Sequence, residues 1–97
     1  MRKEEWSIMR PDVRWSTKRF EGSHRHEIFY GTANRRKSIE DGMVIFLRPE
    51  DHNMSDRGIH ADREFDLYAK RKAQIRWMEF YGKTVDQFIQ RYGRNYL

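Results

Sequence analysis

Two short apolar runs in the first half of the chain are followed by two longer amphipathic stretches. The runs are HEIFY at 26–30 and MVIFL at 43–47, and Gly31, Gly42 and Pro49 flank them. Their β-branched and aromatic residues, bounded by glycine and proline, predict two short strands, the second of them buried. We expect the strands to pair antiparallel across a basic connection of about a dozen residues.

The connections on either side of the second strand are predicted to hold short helical turns. GTANRRK at 31–37 is polar and basic, as is typical of a loop, and Ser38 is a candidate cap for a turn that ends at Gly42. Pro49 suits the first turn of a helix that passes His52 and Asn53, with a loop expected at 55–58.

The second half of the chain predicts two helices. The first is expected from about Ala61 to Tyr81 and ends at Gly82, and TVDQ at 84–87 fits a capping box that begins the second, which Gly93 ends. One face of the long helix is predicted to carry the residues Phe65, Ala69, Ala73, Trp77 and Phe80. The fold class is therefore α+β: a small two-stranded antiparallel sheet and a helix, extended by the long helix and a C-terminal helix.

The composition describes one basic domain. Its 97 residues are divided into an N-terminal arm at 1–12, with Trp6 and Ile8 as candidate anchors, and a domain at 13–97. The net charge of +5 favours polyanionic partners, chiefly nucleic acid or an anionic membrane surface. The chain has no cysteine, which excludes disulfides and thiolate zinc sites. With no membrane-length apolar run and no signal peptide, we expect a soluble cytoplasmic protein.

All four histidines fall between residues 24 and 60. Imidazole ligates borderline transition metals and also takes up protons near neutral pH, and this spacing permits both uses. In an antiparallel pair, the start of the first strand lies beside the end of the second, which makes His26 and His52 neighbours. The loop at 53–59 can then bring His60 to the same place. The HExxH signature of many metalloproteases is absent.

The order of these motifs resembles the HNH, or His-Me finger (ββα-metal), endonucleases, and in particular small phage-encoded members. The matching residues are RHEIFYGTANRRKS at 25–38, LRPEDHN at 47–53, GIH at 58–60 and RYGRNYL at 91–97, so the resemblance covers 25–97. It implies metal-dependent hydrolysis of DNA phosphodiesters. For a phage-encoded protein it also implies that the protein is located in the cytoplasm of the host cell.

The resemblance also implies roles for individual residues. His26 falls at the position of the general base, which deprotonates the attacking water. His52 and His60 fall where relatives hold a divalent metal, with Mg, Mn and Zn as candidates, and Asn53 is a candidate to orient a ligand. A metal in this position stabilises charge on the scissile phosphate and on the leaving oxygen.

Basic residues near the first strand are candidate nucleic-acid contacts. Arg35, Arg36 and Lys37 suit backbone phosphates, and Arg25 is a candidate for the scissile phosphate.

The chain departs from the family pattern in three ways. The asparagine that orients the base in relatives has no good equivalent around Gly42 and Met43. Arg25 stands where many relatives carry an acidic or histidine metal ligand, although His24 should lie on the same sheet face as His26. The cysteine pairs of a structural zinc are missing, and Trp15, Phe20 and the region of Trp6 are expected to pack there instead.

The alternative function is therefore a non-catalytic module that binds nucleic acid or a protein, for example a phage inhibitor of a host nuclease system. The oligomeric state stays open.

Overall fold

The computed structural model describes residues 6–52 and 58–97, and these form an α+β fold with a two-stranded antiparallel sheet and four helices, which confirms the predicted class. In chain order the elements are β1 His24–Glu27, α1 Arg35–Asp41, β2 Val44–Leu47, α2 Pro49–His52, α3 Arg63–Tyr81 and α4 Val85–Tyr92. None of the helices in these two ranges is long and apolar enough to cross a membrane.

The first strand lies earlier than predicted, at His24–Glu27 instead of 26–30. It pairs with β2 in the register His24 to Leu47 and His26 to Ile45. The strand ends early because Phe29 bonds to a side chain instead of the neighbouring strand: its N–H donates to Ser38 Oγ at 3.0 Å, and that hydroxyl donates to its carbonyl at 2.7 Å. Strand β1 therefore carries two histidines, His24 and His26, on one face, because alternate residues of a strand point the same way.

Helix α1 begins at Arg35, so the prediction of a loop through residue 37 was wrong. Ser38 is not the cap, because it is fully buried and bonds to Phe29. Asn34 takes the N-cap position, and its side chain donates to the carbonyl of Tyr92 at 3.1 Å instead of capping the helix. The helix ends at Gly42 in the left-handed region, as predicted.

Helix α3 begins at Arg63, two residues later than predicted, because the Asp62 carboxylate accepts the N–H groups of Glu64 and Phe65 and so caps the helix there. Four residues of the predicted stripe are buried: Phe65, Ala69, Ala73 and Trp77. Phe80 departs from it: the ring is 47% exposed, at the edge of the core, where it meets Trp6 edge-on. The predicted capping box of α4, between Thr84 and Gln87, is confirmed.

The described part of the N-terminal segment lies against the core. Ile8 and Met9 are buried, and the Ile8 backbone accepts from Arg76 Nε at 2.6 Å and donates to the Gly42 carbonyl at 2.9 Å. Trp15 is buried, whereas Phe20 is 39% exposed.

Helices α1, α3 and α4 meet at the Asp41 carboxylate. It accepts hydrogen bonds from Trp77 Nε1 at 2.9 Å, from Tyr92 Oη at 2.8 Å and from the Arg91 guanidinium at 2.9 and 3.0 Å. Burial, together with the nearby Asp41 charge, raises the pKa of Tyr92, so the phenol stays protonated and donates. We call this arrangement the Asp41 network.

Candidate metal centre

Three histidines from separate parts of the chain converge at one end of the sheet. His26 is on β1, His52 ends α2 and His60 precedes α3, and one ligand atom from each lies within 4.8 Å of the others. The antiparallel register places the start of β1 beside the end of β2, from which α2 follows directly. The predicted meeting of the three imidazoles is confirmed.

The backbone fixes the relative position of His52 and His60. The Ile59 N–H donates to the Asp51 carbonyl at 2.7 Å, and the His60 N–H donates to the His52 carbonyl at 3.3 Å. We call these two hydrogen bonds the backbone clasp. Because the clasp joins the end of α2 to the residues that precede α3, the two imidazoles are held side by side.

The side chains of His52 and His60 meet through their Nε2 atoms, which lie 3.1 Å apart. Two neutral imidazole nitrogens at this distance need either a shared proton or a cation between them. Two nitrogens bound at 2.0–2.1 Å to a tetrahedral zinc ion would be about 3.3 Å apart. The observed separation therefore fits two ligands of one ion.

His26 is buried beside this pair, with 2% of its surface exposed. Its ring centroid lies 5.2 Å from that of His52 and 4.9 Å from that of His60. Its Nε2 is buried and has no hydrogen-bond partner among residues 6–52 and 58–97. An unpaired buried nitrogen is costly, and in a native protein it commonly indicates a bound water, ion or ligand.

Burial and the neighbouring imidazoles disfavour the charged forms of His26 and His52. Desolvation, then the neighbouring His60, His52 and Lys70, holds the pKa of His26 well below its usual value. Desolvation, with repulsion from His60 and His24, lowers the pKa of His52 to about 4. Neutral imidazole is the form that binds metal and the form that accepts a proton.

A cavity of about 580 Å³ opens onto the histidines and also contains two arginines. Arg25 Nε donates to Glu27 Oε2 at 2.7 Å, and Arg35 Nε donates to Glu27 Oε1 at 2.8 Å. Glu27 is only 8% exposed, so both oxygens of one buried carboxylate orient the two guanidinium groups. Charge-assisted bonds of this kind fix the direction of an arginine.

The predicted nucleic-acid contacts Arg36 and Lys37 are not among the residues that line this cavity. Arg36 is exposed. Lys37 Nζ donates to the carbonyl of Arg91 at 2.8 Å, at the end of α4. Asn53, proposed to orient a ligand, lies outside the described residues.

Two lining residues escaped the sequence interpretation. Glu27 follows Arg25 by two positions on β1, so strand alternation could have indicated their pairing, but not the contribution of Arg35 from α1. Tyr30 packs against His60 with ring centroids 5.1 Å apart, and its hydroxyl donates to Asp66 at 3.0 Å. Desolvation and the Asp66 charge raise the pKa of Tyr30 to about 12.

No protein-family model matches this chain, and neither the curated proteins nor the solved structures provide a match. We therefore infer a function from the geometry of the cavity and from the resemblance of the sequence motifs to HNH endonucleases.

Proposed function

We propose that the protein hydrolyses phosphodiester bonds of nucleic acid, DNA in the first instance, with a divalent metal ion held by histidines. The observation that carries this proposal is the single cavity that joins three clustered imidazoles to two oriented arginines. Imidazole nitrogen is a good ligand for borderline transition metals, and the fork of guanidinium donors matches the geometry of phosphate oxygens.

His52 and His60 would hold the ion through their paired Nε2 atoms. An all-imidazole donor pair suits zinc, or another borderline transition metal, better than magnesium, which prefers oxygen ligands. When bound, the ion supplies positive charge beside the scissile phosphate and the leaving oxygen.

His26 would act as the general base. Its Nε2 does not hydrogen-bond to any described residue, and it belongs to a ring held neutral by burial, so it has a free site for a proton. In this role Nε2 takes the proton from the water that attacks phosphorus and later releases it to solvent.

Arg25 and Arg35 would hold the phosphate. Glu27 fixes the Nε edge of each guanidinium, and both arginines line the cavity that also contains the histidines. The overall charge of +5 adds a general attraction for the nucleic-acid backbone.

The test of this function is nicking of supercoiled plasmid by metal-free protein supplied with Zn²⁺, Mn²⁺ or Mg²⁺. We expect cleavage that depends on the metal and that falls by about 10²–10⁴-fold in His26→Ala. Lys83→Ala is the control, because Lys83 is an exposed cation outside the cavity, and it should cleave nearly as wild type does. Thermal melts of each variant check that it is folded.

Two outcomes would reject the proposal or change a role within it. If wild type binds the metal and DNA but leaves every plasmid intact, the protein is a binding module, and its affinity should fall with salt. Calorimetric titration with Zn²⁺ separates the roles of the histidines: His52→Ala and His60→Ala should lose affinity, whereas His26→Ala should retain it. An equal loss in His26→Ala would make His26 a third ligand instead of the base.

A further inference from the structure

We propose that His24 is a positioning residue that fixes the tautomer of His52 and so presents the Nε2 of His52 to the cation. The inference rests on the metal site of the proposed function. It concerns a residue outside the group of three clustered histidines and assigns it a different task.

The position of His24 follows from the sheet. It lies two residues before His26 on β1, so both side chains are on the same face, and its register partner is Leu47 at the end of β2. The turn into α2 then carries His52 over this end of the sheet. The two rings meet edge-on, at an interplanar angle of 84°.

The contact between the rings is specific. His24 Nδ1 lies 3.2 Å from His52 Nδ1, a hydrogen-bond distance that needs one proton between the two nitrogens. The other nitrogen of His52, Nε2, faces the Nε2 of His60. Each edge of the His52 ring therefore has its own partner.

The two contacts determine where the protons belong in a protein that binds metal. His52 needs a lone pair on Nε2 to bind the ion, so its proton is on Nδ1. His52 Nδ1–H then donates to the lone pair of His24 Nδ1, and the proton of His24 is on its own Nε2. A ligand histidine that donates its second N–H in this way is held in one orientation and becomes a better donor to the metal.

The same contact argues against His24 as a further metal ligand. The Nδ1 atom of His24 already hydrogen-bonds to the Nδ1 atom of His52. The nitrogen of His52 that meets His60 is the other one, Nε2. The three histidines that bring a ligand atom within 4.8 Å of one another are 26, 52 and 60.

The experiment titrates the metal-free full-length protein with Co²⁺ and follows both its affinity and its visible absorption. His24→Leu removes the acceptor and should weaken binding by about 10–100-fold without changing the Co²⁺ spectrum. His24→Asn places an amide oxygen near the former Nδ1, so it should restore most of the affinity. His24 is only partly buried, and thermal melts without metal verify that both variants fold.

A second readout needs no metal. Long-range ¹H–¹⁵N correlation spectra of the metal-free protein should show His52 as the Nδ1–H tautomer in wild type and in His24→Asn. They should show a mixture of tautomers in His24→Leu. An unchanged His52 tautomer in His24→Leu overturns the inference, even if wild type binds no metal and the proposed function has failed.

The titration has two further outcomes that count against His24 as a positioning residue. If wild type and His24→Leu bind Co²⁺ equally, the metal site stands and the inference fails. If both variants lose affinity together and the Co²⁺ spectrum changes, His24 is itself a ligand.

Discussion

The molecule has two centres of buried polar groups, and they differ in how completely those groups are paired. In the Asp41 network, the carboxylate receives donors from Trp77, Arg91 and Tyr92, each at about the ideal hydrogen-bond distance. In the histidine cavity, His26 Nε2 is buried without a partner among the described residues, and two imidazole nitrogens face each other at 3.1 Å.

Under the proposed function, this difference separates a structural centre from a binding site. Polar groups whose hydrogen bonds are all satisfied within the chain hold the elements together and leave no free donor or acceptor for a ligand. A buried group without a partner costs stability, and it persists where binding compensates for that cost.

The largest effect is expected from Asp41→Ala. It removes an acceptor from the Arg91 guanidinium, the Trp77 N–H and the Tyr92 hydroxyl, and should lower the free energy of unfolding by about 3 kcal/mol. Arg91 keeps its bond to Glu40, and the Tyr92 hydroxyl can still donate to the Lys37 carbonyl. Urea denaturation measures the loss of stability. Glu21→Ala, at an exposed position, is the control. The Zn²⁺ affinity of Asp41→Ala, measured at a temperature where this variant is folded, should equal that of wild type. A parallel loss of Zn²⁺ affinity would show that the two centres are coupled.

The next effect is stabilisation by metal. Zn²⁺ at a free concentration one hundred times its Kd should raise the free energy of unfolding by about 2.7 kcal/mol, since it binds the folded chain. Thermal melts with and without Zn²⁺ measure the gain, which should vanish in His60→Ala. An equal rise of Tm in that variant would mean that the ion binds elsewhere.

Acid should destabilise the metal-free protein through the histidines. The unfolded chain protonates His52 near its ordinary value of 6.5, whereas the folded chain resists protonation until about pH 4, so stability falls as the pH falls through this window. The lowered pKa of His26 acts in the same direction. Allowing for the partial exposure of His52, we expect a loss of about 2 kcal/mol.

Comparison with a His52→Gln variant isolates this effect from the carboxylates, which titrate in both proteins. Denaturation at pH 7 and pH 4.5 should show a smaller loss in the variant. If wild type and variant lose stability equally, the imidazole of His52 is not responsible.

The smallest effect concerns the capping box far from the cavity. Thr84→Ala removes the acceptor for the Gln87 N–H and should cost about 1 kcal/mol of stability. Metal affinity and plasmid nicking should not change, and Thr84→Ser should recover the stability. A change in nicking would indicate that α4 communicates with the histidines.

The sequence predicted the fold best where the signal is local. The capping box at Thr84 and the left-handed ends at Gly42, Gly82 and Gly93 follow from neighbouring residues, and the structure has all of them. The end of β1 was wrong because buried Ser38 hydrogen-bonds to the backbone of Phe29, and Ser38, engaged in this contact, lies inside α1 instead of capping it. Periodicity does not report such a contact.

The site was predictable to the extent that topology determines it. Antiparallel pairing brings His26 and His52 together, and the predicted return of His60 to the same place is confirmed. The salt bridge from Arg35 to Glu27 joins a helix to a strand, and it depends on a rotation of α1 that no local pattern specifies. The same is true of Lys37, whose ammonium group reaches the end of α4 instead of the cavity.

The backbone clasp makes the spacing of the two imidazoles a property of the main chain. Its hydrogen bonds, from Ile59 to Asp51 and from His60 to His52, join N–H groups to carbonyl groups, which do not change with side-chain identity. Proline is the exception, because it has no N–H to donate. A proline at 59 or 60 would therefore open the clasp, whereas other residues at 59 keep the donor that sets the distance between the two rings.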